Sequence, residues 1–182
     1  MDRDGKQLGQ TGSVESIVPR NVDLRRFSYG ATSAVCTGMA LVTGLDAANS
    51  ARLTIIAGLL IFAVADNLSD SLSIHIYQES ERIEGRAAFR ATLTNFATRL
   101  ALALSFVLIV ALAPVKIAVI AAILWGSTIL CVMTAMLARQ RGAPVAAEIG
   151  KHLALAAVVI AASKGIGSWL LRAVRDGPGQ RH

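Results

Sequence analysis

The sequence predicts an all-α, polytopic membrane protein with five transmembrane helices and a cytoplasmic N-terminus. Three observations carry this. Hydrophobic residues make up 54% of the 182 and charged residues only 16%, with a mean hydropathy of +0.55. That is a membrane composition rather than that of a soluble core. Apolar runs long enough to span about 30 Å of hydrocarbon recur at 27–45, 53–78, 95–113, 117–138 and 153–171. The basic residues gather at the ends of these runs, roughly ten on the N-terminal side of the bilayer against about five on the other, which places the N-terminus inside.

Residues 1–26 are polar and mixed in charge, and the stretch lacks the apolar run of a signal peptide. It reads as a flexible cytoplasmic tail ahead of a 27–174 transmembrane domain, with a short tail at 175–182. The net charge of +6 follows from orientation and anionic lipid rather than from a nucleic-acid partner. In the first span Gly30, Ala34 and Gly38 repeat every four residues, a face suited to close helix contact. Asp46–Arg52 is a turn. The third span begins at Asn95, so Arg99 lies about one turn inside it and can snorkel to the interface. Pro114 marks the next turn. Arg139–Lys151 reads as a basic loop before the fifth span, which contains Lys164. Cys36 and Cys131 lie inside apolar segments without Cys-x-x-Cys spacing and read as small packing residues.

The second span holds the chemistry. It begins apolar and then takes on Asp66, Asn67, Ser69, Asp70, Ser71, Ser73 and His75 without a helix breaker. Asp66, Asp70, Ser73, Tyr77, Glu81 and Glu84 fall on one helical stripe, because each spacing is three or four residues. A carboxylate in hydrocarbon is costly unless it faces a partner, water or a bundle interior. The stripe therefore reads either as a polar path from mid-membrane to the aqueous rim or as a set of bonds holding the bundle together. Oxygen donors of this kind suit Fe²⁺, Mn²⁺ and protons alike. Lys164 reaches a comparable depth and either pairs with Asp66 or snorkels outward alone. Glu81 and Glu84 either gather cations at an entry or sit on a solvated helix with Arg82 and Arg86 as partners. Gly85 is the expected break after this helix. His75 is nearly opposite Asp66 and reads as a helix-contact residue. No nucleophile–base set, phosphate loop or dinucleotide fingerprint appears, so neither an enzyme nor a permanently bound cofactor is expected.

The pattern resembles the vacuolar iron transporter family. YGATSAVCTGMALVTGL in the first span is similar to the family's Gly-Ala-x-Asp-Gly opening, and VADNLSDSLS in the second to its Ala-Asp-Ala-x-Ser-Met segment. AAFRATLTNFATRL in the third span and AASKGIG in the fifth are similar to its later helices. The resemblance implies a homodimer in the cell's inner membrane. It implies exchange of Fe²⁺ or Mn²⁺, as the transported ion, for protons along a path lined by the first two helices. Together with the stripe on the second span, it makes Asp66 and Asp70 the metal ligands or proton acceptors, with Ser33, Thr37 and Ser73 as weaker oxygen donors. The departures are specific. The family's first-helix Asp falls on Ser33, its second-helix Met on Asp70, its acidic-Tyr pair on Ile74 and His75, and its last-helix Tyr on Lys164. Its long cytoplasmic metal-binding helices are cut to about Glu79–Phe89. The alternative is a structural or regulatory membrane protein on the same bundle; a weaker one is carriage of a small organic or anionic solute, with Lys164 as counter-charge.

Overall fold

The computed structural model describes residues 20–80 and 85–176. They form helices α1 (Arg20–Ala47), α2 (Arg52–Ser80), α3 (Gly85–Leu112), α4 (Val115–Arg141) and α5 (Val145–Arg175), with no strand among the described residues. Four of the five, α2 to α5, are long and apolar enough to cross a membrane, and α1 carries a shorter apolar stretch, Ala31–Ala47. The chain is a multi-pass membrane protein. Its surface agrees: Leu60, Ile61, Val64, Leu68 and Leu72 of α2, Leu108 and Leu112 of α3 and Val158 and Ile166 of α5 all point outward. In water such a surface is an aggregation hazard; in lipid it is the expected exterior.

Short turns join α1 to α2, α3 to α4 and α4 to α5, so these sequence neighbours run antiparallel. α1 ends at a turn in which Asn49 takes a positive φ of 57°, a conformation Asn tolerates because its short side chain can bond locally. Gly142, with φ 66°, closes α4, and the backbone N–H groups of Gly142 and Ala143 satisfy the carbonyls of Arg139 and Ala138. Pro114 and Pro144 stand at the N-caps of α4 and α5, where a missing N–H removes no helical bond. The expected loop at 139–151 is therefore only Gly142–Pro144. Arg139 and Arg141 are in the last turn of α4 and Lys151 is inside α5.

α1 is the hub, packing on the other four helices. Its buried Val35, Met39 and Val42 meet Ile55 and Leu59 of α2, Phe106 and Val110 of α3, and Ala118, Ala122 and Leu130 of α4 in one core. Close approach depends on small residues. A Cβ on Gly38 would lie 2.8 Å from Phe106, and one on Gly126 would lie 2.5 Å from the Met39 sulfur. α4 buries Ala118, Ala122, Gly126, Leu130, Thr134 and Ala138, a strict four-residue repeat of mostly small side chains. The tightest seam is between α1 and α5. A Cβ on Gly167 would fall 2.1 Å from the Gly44 carbonyl oxygen, and Ser163 donates to the Ala40 carbonyl at 2.5 Å. At the far end of the α2–α3 pair, Arg52 donates to the carbonyls of Ala111 at 3.4 Å and Ala113 at 2.8 Å. Ala111 is in the last turn of α3 and Ala113 just past its end, where carbonyls have no partner within the helix.

The expected Gly85 break is where α3 begins. The third helix thus starts ten residues before the apolar run that marked it in the sequence. This changes the status of Arg99. It is not one turn inside a helix but in its middle, and it is 3% exposed rather than snorkelling.

Candidate functional site

α2 and α3 lie side by side and antiparallel, and the polar residues of the bundle's middle meet between them. Asp66, Asn67 and Asp70 come from α2; Asn95 and Arg99 come from α3. On each helix a spacing of four places two groups on one face. Because the helices run in opposite directions, Asp66 is level with Arg99 and Asp70 lies between Arg99 and Asn95.

The Arg99 guanidinium is the centre. Its Nη2 donates to Asp66 Oδ2, its Nη1 to Asp70 Oδ2 at 3.0 Å, and its Nε to Asn67 Oδ1 at 2.8 Å. Asn95 adds a donor to the same Asp70 oxygen at 3.2 Å. Asn67 is 3% exposed, and its amide is tied to the Ala63 carbonyl at 2.6 Å, which fixes its oxygen toward Arg99. The arginine side chain is 4% exposed, while those of Asp66 and Asp70 are 43% and 36% exposed. The cation is sealed inside and the two anions face the edge of the bundle. At about 1.5 Å per residue, Asp66 and Arg99 both lie about 20 Å from the far ends of their helices, inside the apolar segments Arg52–Tyr77 and Thr92–Leu112. One guanidinium against two carboxylates leaves one negative charge uncompensated among these five residues.

The other predicted residues distribute unevenly. Ser73 is exposed and donates to the Ser69 carbonyl of its own helix at 3.0 Å. Ser33 is exposed on α1 and Thr37 is half-buried; among the described residues neither bonds to Asp66 or Asp70. Glu81 and Glu84 lie outside the described residues. The Asp66–Lys164 pair is corrected: the partner of Asp66 is Arg99, and Lys164 is exposed on α5, a helix that packs on α1 and α4. Cys36 and Cys131 are free and half-buried on separate helices. Among the described residues no group of three or more His, Cys, Asp or Glu is placed to hold a metal ion. Ser71 lies one turn beyond Asn67 on the same face of α2, and its hydroxyl oxygen is buried with no hydrogen-bond partner among the described residues.

Arg99, Asn67 and Asn95 were the residues missed. Their signal was available: an Asn and an Arg four apart on one helix match two Asp four apart on the helix before it. An ionisable residue deep in an apolar segment calls for a named partner, and starting the third span at Asn95 hid that depth.

Comparison with family models, curated proteins and solved structures finds no match to this chain.

Proposed function

We propose that the chain is a divalent cation carrier that exchanges Fe²⁺ or Mn²⁺ for protons, with the Asp66–Asp70 pair as its mid-membrane site. The observation that carries this reading is the unbalanced charge. A purely structural clamp favours neutrality and full burial, because uncompensated charge in hydrocarbon is expensive. Here two carboxylates share one guanidinium, and both are more than a third exposed. One proton on the pair completes the charge, and so does a cation held between the two groups. The resemblance to the vacuolar iron transporter family, as a divergent member lacking the cytoplasmic metal-binding domain, supplies the choice of ion, the cell inner membrane, the inward N-terminus and a homodimer. A second copy, or water, would cover the exposed carboxylate edges. Ser33, Thr37 and Ser73 are supporting donors only after rearrangement, and Glu81 and Glu84 remain entry candidates.

The test is uptake of Fe²⁺ and Mn²⁺ into proteoliposomes against a pH gradient. Flux is expected for the wild type and is lost in Asp66→Asn and Asp70→Asn. Absence of flux with either ion, at a confirmed protein level, sinks the carrier reading.

A second reading is a structural or regulatory membrane protein. It is favoured by the way Arg99 is bound: three of its donors already have acceptors, and it is sealed from solvent. It expects no uptake, no metal-dependent thermal shift, and tolerance of Asp70→Asn.

A further inference from the structure

We infer that Arg99 is a tethered cation that occupies the carrier's own binding position when no cargo is present, and that Asp66 is the carboxylate it releases first. This rests on the carrier reading of the same site. The guanidinium lies between Asp66 and Asp70, with one Nη on each, which is where a cation bridging the two would sit. It holds that position because Nε is anchored on Asn67, itself fixed by the Ala63 carbonyl. An arginine cannot be discharged, so it competes as a permanent charge, and its planar fork spans two carboxylates where an ammonium cannot. Its backbone belongs to α3, so it can be displaced but never lost. The empty site thus keeps one of its two negative charges compensated, and a mobile cation enters only by taking carboxylate from Arg99.

The two carboxylates are not equivalent in this exchange. Asp70 has a second donor, the Asn95 amide at 3.2 Å. Asp66 has Arg99 alone among the described residues, and it is the more exposed of the two, at 43% against 36%. Asp66 is therefore the first to turn to an incoming ion, while Asp70, Asn95 and Asn67 keep the guanidinium on its tether.

The experiment uses the full-length chain in lipid nanodiscs, with Mn²⁺ as the probe and free Mn²⁺ read by electron paramagnetic resonance. A merely structural arginine, once removed, would loosen the site; a competitor, once removed, tightens it. Arg99→Gln is expected to bind Mn²⁺ about tenfold more tightly than the wild type or better, because a unit positive charge beside the ion is gone. Arg99→Lys, which keeps the charge but cannot hold both carboxylates and Asn67, falls between them at about threefold tighter. Asp66→Asn in the Arg99→Gln background returns affinity to the wild-type level or below. Binding by Arg99→Gln that is equal to or weaker than the wild type, in protein that elutes as a single species, overturns the inference. So does absence of Mn²⁺ binding in both. Where Arg99→Gln fails to fold, Arg99→Lys decides, with affinity equal to or below the wild type overturning it. Flux through proteoliposomes made from the same preparations reports on the carrier reading separately: flux with no tightening removes the tethered-cation role alone, and tightening with no flux removes transport alone.

Discussion

Gly167→Ala is expected to be among the most damaging single methyl additions in this chain, although the same change usually favours a helix. The added Cβ would lie 2.1 Å from the Gly44 carbonyl oxygen and 3.1 Å from both the Ala47 Cβ and the Ala48 nitrogen. The nearest obstacle is backbone, so no rotamer change relieves it. α1 and α5 have to part by about 1.3 Å or more to reach ordinary contact distance. That displacement carries the Ser163–Ala40 bond from 2.5 Å past the roughly 3.0 Å limit of a good hydroxyl hydrogen bond. Overpacking of this kind costs about 1–3 kcal/mol, and the weakened bond adds about 1 kcal/mol. Improved helix propensity returns up to about 1 kcal/mol. The control lies two residues away on the same helix. Gly165 has nothing within 4 Å of its Cβ position, so Gly165→Ala keeps the propensity gain with no clash. The two variants should therefore differ by about 2–4 kcal/mol, or about 4–16 °C in melting temperature for a chain of this size. Thermal unfolding in one detergent, followed by circular dichroism, measures the gap. Melting of Gly167→Ala at or above Gly165→Ala would refute the close approach of α1 and α5.

Phe106 fills the space left by Gly38 and is fully buried, so Phe106→Ala should lower stability by about 3–5 kcal/mol, read by the same melts. Arg52→Gln removes two charge-assisted bonds to the end of α3 and should cost about 1–3 kcal/mol, with faster amide exchange at the α2–α3 end as the local signature. Ser71→Ala deletes a buried hydroxyl that has no hydrogen-bond partner among the described residues. It should be neutral or stabilising by up to about 1 kcal/mol, and a loss of more than that would show that the hydroxyl is engaged.

The helices were legible in the sequence because lipid imposes a simple requirement, a long apolar run, and the five runs lie within the five helices to within a residue. Helix ends were less so. The break at Gly85 falls where α3 begins, but the third span was started only at Asn95, because the charged residues from Arg86 to Arg90 carry no apolar signal. That error hid the Arg99 site. The stripe on α2 correctly singled out Asp66 and Asp70, because a period of three to four residues identifies a shared face. It could not name what that face meets. Lys164 had the right charge and a suitable depth, but only packing shows that α3, not α5, lies beside α2. The small-residue face is the same case. Gly38 does sit in a close contact, with Phe106, while a close approach of backbone lies between Gly44 and Gly167, near span ends where no pattern drew attention.

The Arg52 bonds have a consequence for assembly. The carbonyls of Ala111 and Ala113 lie at and just past the end of α3, and Pro114 follows directly, with no N–H to offer. Their donor is a side chain at the first residue of the preceding helix, some sixty positions earlier in the chain. α3 released into the membrane alone would lack this donor for the carbonyls of Ala111 and Ala113; released beside α2 it has it. The insertion machinery therefore handles these two helices to best effect as a hairpin, and Arg99 would reach Asp66 and Asp70 in the same event, so that the site's charges enter the membrane already paired.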